Sequence, residues 1–500
     1  MIDKNSIDPA MSVPAFYAGQ SIFLTGATGF LGKVYIEKIL RFCPDVREIF
    51  ILMRPKKGLS LNERLEKMLN LPIYDKLREE KPSNFKKLIL VSGDTSQENL
   101  GLSNIDRQML IERVTIIIHN AASVKFNDSL KHVILTNTRS TRDICILAKS
   151  MKNLIALVYV STAYSHLENP IIEEKTYPPI ADWRKMIKVA ESLDEHILNI
   201  FTTKCLNNIP NTYIFSKNLA ESIIQEYSSF LPCTIVRPSI VIHSLRDPIP
   251  GWIDNFNGPI GLLIAGAKGL LQVLYASNNI SQNNIPVDTV INIIILATWK
   301  LGLTTLTPES TFFVVNCISP DKKNLLLREF CNMGFKITRE IPFEGVFWTR
   351  STLFVENSII YYILILLWHI LPAIIIDSVL KLSGHKAMVL GLQRKIFVAN
   401  RALKHFLFNE WKFDNANSRG LISLVPSGNR EMFPDDFSDI DIKNSFRNNI
   451  IGSKKYLFHE DLNRLDAAKT HCKRVDRFVA TFKTIIAIGI LWMIYKWICS

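Results

Sequence analysis

The sequence predicts an α/β fold built on a doubly wound parallel sheet. Three observations point to it. Short apolar runs alternate with helical segments from Ser21 to about Arg237. The runs are apolar throughout, as parallel strands covered on both faces are. A glycine-rich turn, Thr25-Gly-Ala-Thr-Gly-Phe-Leu-Gly32, separates the first run from the first helical pattern. Alternation of this kind implies right-handed βαβ units.

The elements follow in order. Ile22–Leu24 is the first strand and Val34–Leu40 lies in the first helix, with the glycine turn between them. Gly26 allows the tight turn, Gly29 lets a pyrophosphate approach the backbone, and Gly32 lets helix and strand pack closely. The helix start adds N–H groups and a positive dipole end. Gly26, Thr28, Gly29, Phe30, Leu31 and Gly32 are therefore candidate cofactor-binding residues. The next strand, Ile49–Met53, ends at Arg54, 22 residues past Gly32. An acid there would hold a ribose 2′-hydroxyl, whereas an arginine suits the 2′-phosphate of NADPH. Lys56 and Lys57 add positive charge. Leu88–Ser92 leads into Gly93-Asp94, and Thr115–His119 into Asn120-Ala-Ala122. Asp94, Asn120, Ala121 and Ala122 are placed to edge the adenine and ribose.

Two later segments carry possible chemistry. Ala156–Ser161 brings Ser161 and Thr162 to a strand end, and carboxyl ends face the ligand crevice in such sheets. Thr162 is the favoured donor to a substrate carbonyl. Tyr213-Ile-Phe-Ser-Lys217 opens a helical stretch, and the spacing of four sets both side chains on one face. A lysine cation there would lower the tyrosine pKa from near 10, and Lys217 can also bond the nicotinamide ribose. Thr234–Val236 is the last strand in the pattern.

Five hundred residues imply two or three units. The net charge of +13 favours anionic partners. No zinc-finger spacing or aromatic-studded RNA signature is present, so nucleic acid is not expected, and no metal site is expected. The eight cysteines are scattered without a C-x-x-C, as in a reduced, cytosol-facing protein. Residues 1–20 read as a tail without signal-peptide character.

Two apolar segments stand apart. Ile359–Ile376 runs 18 residues without a formal charge. As a helix it would measure roughly 27 Å, close to the ~30 Å of a bilayer core. His369 and Pro372 interrupt it, so spanning, re-entrant and buried readings all stay open. Thr484–Tyr495, bounded by Lys483 and Lys496, is apolar on all faces and reads as a C-terminal anchor. From Asp466 to Lys496 there are six Lys/Arg and two Asp, an excess that favours a cytoplasmic flank.

These residues resemble the extended short-chain dehydrogenase/reductase family: the glycine turn, Gly93-Asp94, His119-Asn-Ala-Ala122, Ser161-Thr162, Tyr213 with Lys217, and Arg237-Pro238-Ser239. More narrowly, the chain is similar to the insect-type fatty acyl-CoA reductases. The marks are Ile172-Glu-Glu-Lys-Thr-Tyr177, Asn211–Lys217, Pro250-Gly-Trp-Ile-Asp-Asn-Phe-Asn-Gly-Pro259, Ile285-Pro-Val-Asp288 and Asn409-Glu-Trp-Lys-Phe413. Ser140 stands where that family usually has glycine.

The resemblance implies a Rossmann domain with substrate-binding elements over 21–345, a membrane-associated segment over 346–385, a small helical C-terminal reductase domain over 386–478 and an anchor over 479–500. It implies NADPH-dependent reduction of a long-chain acyl-CoA to a primary alcohol. Thr162, Tyr213 and Lys217 would be catalytic, and Pro238 would join the cofactor set. The expected partners are acyl-CoA and a bilayer. The expected place is the endoplasmic reticulum or peroxisome surface, with the catalytic domain facing the cytosol. A hydroxysteroid dehydrogenase, a sugar-nucleotide epimerase, or a non-catalytic NADPH-binding membrane protein are the alternatives.

Overall fold

Seven short, largely apolar runs form one parallel sheet in the computed structural model, which describes residues 12–55, 58–304, 312–319, 325–434 and 441–499. The strands are β1 Ser21–Thr25, β2 Glu48–Met53, β3 Leu88–Ser92, β4 Ile116–His119, β5 Ala156–Val160, β6 Cys233–Pro238 and β7 Phe313–Cys317. Their order is β7-β6-β5-β4-β1-β2-β3, and every pairing is parallel. The order reverses at β1, which pairs with β2 on one side and β4 on the other. In open sheets of this kind such a switch point is where ligands bind, beyond the carboxyl ends of the strands. Six of these strands are expected from sequence; β7 is not. It lies far beyond Arg237 because the chain leaves for a second unit before returning.

The chain divides into two compact units. One comprises the chain to Ile249 with Asn283–Lys323 and Trp411–Ile440; the other comprises Pro250–Gln282, Asn324–Glu410 and Asp441–Ser500. The helices used below are α1 Phe30–Phe42, α2 Thr212–Tyr227, α3 Val287–Thr304, α4 Ser358–Ile365, α5 Leu371–Leu382, α6 Val389–Phe408 and α7 Leu465–Cys499.

In the first unit, Phe23, Phe50, Ile117, Leu157, Phe215 and Ile235 share one buried cluster. This is where the wholly apolar strands bury both faces. Asp288 opens α3 and accepts the backbone N–H groups of Leu245, Arg246 and Asp247 at 2.9, 2.8 and 3.1 Å. That explains the acid in Ile285-Pro-Val-Asp288. Ser140 is fully buried, and its hydroxyl donates to the Thr136 carbonyl at 2.5 Å. The polar side chain is thus satisfied locally at this position.

In the second unit, Gly251 has φ +81°, and a Cβ there would lie 2.1 Å from the Asn448 carbonyl oxygen. A Cβ on Gly452 would lie 1.8 Å from the Gly251 carbonyl oxygen. The Pro250–Pro259 motif therefore closes against the helix Ile442–Gly452 by direct backbone contact, which side chains would prevent. Buried Lys454 donates to the Pro342 carbonyl at 2.7 Å and to Glu460 at 2.6 Å.

Among the described residues, two helical stretches are long and apolar enough to cross a membrane, Val287–Thr304 and Ser358–Leu382. The first is 83% buried, as a core helix is, whereas the second is only 22% buried. Pro372, which cannot donate a backbone N–H, sits where α5 continues the helix of α4. A π-type turn, Leu366–Ile370, precedes it. The expected anchor Thr484–Tyr495 falls within α7 and exposes Ile485, Ile488, Leu491 and Trp492.

Candidate active site

The glycine turn is held by the loop after β4. Gly26 has φ +74°, and a Cβ on it would lie 2.8 Å from the Ala121 nitrogen. A Cβ on Gly32 would lie 2.3 Å from the Gly26 carbonyl oxygen. Both positions exclude a side chain. Gly29 meets only the Gly26 carbonyl oxygen, at 3.2 Å, and caps α1 without any side-chain hydrogen bond. A helix start of 13 residues left uncapped by side chains fits the pyrophosphate of a dinucleotide.

Thr25 ties this turn to Asn120 and Ala121, whose N–H groups donate to its hydroxyl oxygen at 3.1 Å each. Its own proton goes to His119 Nδ1, 2.8 Å away. His119 Nε2 then donates to the Thr141 hydroxyl at 3.1 Å, which donates to the Asn137 carbonyl at 2.7 Å. Burial first, and Lys217 second, hold the His119 imidazole down to about 3. It stays neutral, as this chain of bonds requires.

Arg54 is exposed at the end of β2, and its carbonyl accepts from Arg64. Lys56 and Lys57 lie outside the described residues. Asp94 follows β3 and accepts from the Ser96 N–H and hydroxyl at 2.9 and 2.8 Å. Pro238 ends β6, buried beside Cys317 of β7.

The reactive set gathers at the ends of β5 and β6. Asn211 caps α2 by accepting the Ile214 N–H at 2.9 Å, which sets Tyr213 in the first turn and Lys217 one turn on. The Thr162 hydroxyl bonds the Tyr213 side chain, lowering the phenol's pKa, but burial is the larger effect and pushes it up. Tyr213 is therefore a protonated phenol. The expected lowering by Lys217 is not found: burial and the Thr162 bond are the causes of the shift. Lys217 is buried and donates to the Val160 carbonyl at 2.7 Å, with its ammonium 4.7 Å from the centre of the Tyr159 ring. Burial pulls its pKa to about 7, with Glu221 opposing.

Ser161 and Thr162 divide their roles. Ser161 donates to Glu221 at 2.5 Å. Besides its bond to Tyr213, Thr162 makes a long 3.5 Å bond to the Pro238 carbonyl and accepts the Tyr164 N–H at 3.3 Å. The strand end is braced behind by Trp411 and Phe413, whose rings meet Tyr164 edge-on at 5.9 and 5.5 Å. That accounts for the aromatic half of Asn409-Glu-Trp-Lys-Phe413.

Two holding residues are not among the sequence candidates. Asn137 accepts the Ser123 N–H at 2.8 Å and donates to the Ser123 carbonyl at 3.0 Å and the Ser216 hydroxyl at 2.9 Å. It joins the loop after β4 to α2. Glu221 accepts from Ser161, from Ser165 at 2.8 Å, from His166 at 2.9 Å and from Arg237 at 2.6 Å. Arg237 also donates to the carbonyls of Glu173 and Lys175 at 3.1 and 3.0 Å, and Glu174 accepts the Asn316 N–H at 2.8 Å. The Ile172–Tyr177 motif is thus a clamp over the buried Arg237–Glu221 pair. The available signal for Glu221 was its spacing of four from Lys217.

Two family models, both described as male sterility protein, match residues 24–294 and 368–460. The chain is 35% identical over 485 residues to human fatty acyl-CoA reductase 1, covering 97% of this chain and 93% of that protein. It is 35% identical over 474 residues to the Drosophila melanogaster fatty acyl-CoA reductase wat, covering 95% and 90%. Among solved structures, the reductase domain of a nonribosomal peptide synthetase from Mycobacterium tuberculosis aligns with TM-score 0.57 at 17% identity, covering 88% of this chain and 92% of that one. The terminal R domain of the myxalamid PKS-NRPS pathway aligns with TM-score 0.55 at 20% identity, covering 89% and 93%. These two share the fold.

Proposed function

The chain belongs to the fatty acyl-CoA reductase family, and on that footing we propose that it reduces a long-chain fatty acyl-CoA to a primary alcohol with NADPH, releasing coenzyme A. The observation that carries the reading is the meeting of Thr162, Tyr213 and Lys217 at the ends of β5 and β6, in a unit whose glycine turn suits a dinucleotide.

NADPH, when bound, supplies hydride to the thioester carbonyl carbon and again at the aldehyde level. The chain's residues manage charge and protons. Thr162 and Tyr213 donate to the carbonyl oxygen as negative charge grows on it. Tyr213, protonated through burial, transfers its proton to that oxygen. Lys217, anchored by Val160, is placed to bond the ribose. Gly26, Thr28, Gly29, Phe30, Leu31 and Gly32 would line the pyrophosphate, and Asp94, Asn120, Ala121, Ala122 and Pro238 the remainder of the cofactor. Arg54 supports NADPH over NADH, and Arg64, which reaches the same loop end, adds a second cation.

The exposed apolar face of α4–α5 and the exposed end of α7 support membrane attachment, with the catalytic unit on the cytosolic side of the endoplasmic reticulum or a peroxisome. Such attachment shortens the path of a lipid substrate through water. The test is to supply the full chain with acyl-CoAs of graded length and NADPH and to identify the lipid product. Fatty alcohol with two NADPH consumed is expected. Absence of acyl-CoA-dependent oxidation, with the cofactor still bound, would refute the reading.

A further inference from the structure

The stretch Ser358–Leu382 is built inside out. Tyr361, Ile365, His369, Ala373 and Asp377, at every fourth position, are its buried residues. The intervening residues point outward and are apolar: Ile359, Ile360, Ile363, Leu366, Leu367, Leu371, Ile374, Ile375 and Val379 are all more than two-fifths exposed. Polar groups face the protein and hydrocarbon faces out, the reverse of a helix on a water-exposed surface.

The buried stripe fixes where this helix lies. His369 Nε2 accepts the backbone N–H groups of Gln272 and Val273 at 3.2 and 3.1 Å. Its Nδ1 donates to Gln393 of α6 at 2.8 Å, and Gln393 donates to the Leu270 carbonyl at 2.9 Å. The midpoint of the stretch is therefore pinned to non-helical backbone of its own unit. Asp377 accepts the N–H groups of Met388, Val389 and Leu390 at the start of α6, each at 2.9 Å. Tyr361 stacks near Phe397 of α6, and Arg401 of α6 donates to Tyr362. The α4–α5 stretch and α6 therefore run antiparallel, with Asp377 at the start of α6, His369 at Gln393 and Tyr361 near Phe397.

Helix α6 does not share the apolar character. Between Asp377 and Glu410 there are six Lys/Arg and no acid, and Arg394, Lys395, Arg401 and Lys404 of α6 are exposed. Were the stretch to cross a bilayer, these cations and the strand backbone at Gln272–Val273 would enter the hydrocarbon with it. Neither is tolerated there without compensation.

We infer that α4–α5 is an in-plane membrane element. Its outward apolar face sits among the upper acyl chains of an anionic leaflet, the α6 cations lie at the headgroups, and it does not span. Cations beside an embedded apolar face match the charge of such a leaflet. The inference rests on the membrane attachment proposed above and specifies its geometry.

The experiment uses the full chain in sealed microsomes, with Cys499→Ser as background. Ser358→Cys and Ser383→Cys, both exposed, mark the two ends of the stretch. A membrane-impermeant maleimide should label both before permeabilisation. A bimane on Leu367→Cys should be quenched more by lipids brominated near the headgroup than by lipids brominated at the chain ends. Labelling of Ser383→Cys only after permeabilisation overturns the in-plane geometry and leaves membrane attachment standing. Bimane unquenched by either lipid overturns both for this helix.

Discussion

Replacing Glu221 with glutamine tests what holds the reactive hydroxyls in place. The Glu221 carboxylate accepts from Ser161, Ser165, His166 and Arg237 at 2.5, 2.8, 2.9 and 2.6 Å. Arg237 has no exposed surface, and no other carboxylate pairs with it among the described residues. Burial would raise the Glu221 pKa, but Arg237 first and His166 second hold it far below the ordinary range. Glu221→Gln keeps the shape and removes the charge, so a buried guanidinium loses its counterion and one amide hydrogen faces donors. Removing one partner of such a pair costs about 3–5 kcal/mol, against a domain stability of about 5–15 kcal/mol. Denaturant unfolding of the full chain should show that loss. Arg237→Met added to Glu221→Gln should recover part of it, because removing both charges removes the unpaired one.

The pH profile carries a second reading of the same change. A carboxylate with a depressed folded pKa contributes stability above its unfolded value, near 4.3, and loses it as pH falls further. The parent should therefore weaken steeply in acid and Glu221→Gln should not. Burial pushes His166 down, yet Glu221 and Glu168 outweigh it and hold the imidazole above its ordinary value. That contribution is complete below about pH 6.5 and fades as pH rises through the folded value. A Glu221→Gln protein within about 0.5 kcal/mol of the parent, the scale of an ordinary surface change, and equally sensitive to acid, would refute the role assigned to this cluster.

Three further outcomes can be measured directly. Lys217 titrates near 7 when folded and near 10.4 when unfolded, so the unfolded chain binds more protons between those values; cofactor-free stability should rise by about 2 kcal/mol from pH 7 to 9, and Lys217→Met should abolish that slope. Gly26→Ala should lose about 1–3 kcal/mol of stability together with cofactor binding, because φ is +74° and Ala121 stands 2.8 Å away. Gly29→Ala, which meets only one carbonyl oxygen, should fold normally and lose cofactor affinity alone; equal unfolding midpoints for the two alanines would sink this distinction. Arg54→Ser should weaken NADPH relative to NADH by roughly 10–100-fold in kcat/KM, the scale of one charge-assisted hydrogen bond, and an unchanged ratio would remove Arg54 from the cofactor site.

What was legible in the sequence were features that act through local rules. Glycines read clearly because the positive φ of Gly26 and the closeness of Gly32 to the Gly26 carbonyl are set within a few residues of themselves. Six strands read clearly because they are largely apolar, buried on both faces in all but the half-buried edge strand β3. Strand β7 did not, since its place in the sheet depends on the chain returning from another unit. The Pro250–Pro259 motif was legible as a mark but not as a mechanism. Its Gly251 answers to Asn448 and Gly452, nearly two hundred residues away. The state of Tyr213 is hidden for a related reason: spacing shows which helix face two residues share, but not how deeply that face is buried, and burial keeps the phenol protonated while Lys217 is not among the groups that shift it.

Asn137, Thr25 and Glu221 follow one logic, and it narrows which groups are left for chemistry. Each is buried, and each joins two elements that sequence keeps far apart. Several nearby hydroxyls are held in bonds to them or to the backbone. Ser161 and Ser165 donate to Glu221, Ser216 donates to the Tyr213 carbonyl at 2.7 Å, Thr138 to the Ser216 carbonyl at 3.0 Å, and Thr141 to Asn137. Each such bond is short, and breaking one to serve a ligand would leave a buried partner unsatisfied, at a cost of about 1–3 kcal/mol. Thr162 is different, because its bond to the Pro238 carbonyl is stretched to 3.5 Å and can be exchanged for a substrate oxygen at little cost. Its hydroxyl also accepts the Tyr164 N–H at 3.3 Å and bonds the Tyr213 phenol. The pairing of Thr162 with Tyr213 then follows from the weakness of the Thr162 bond to Pro238 beside the firmer bonds of Ser161, Ser165 and Thr141.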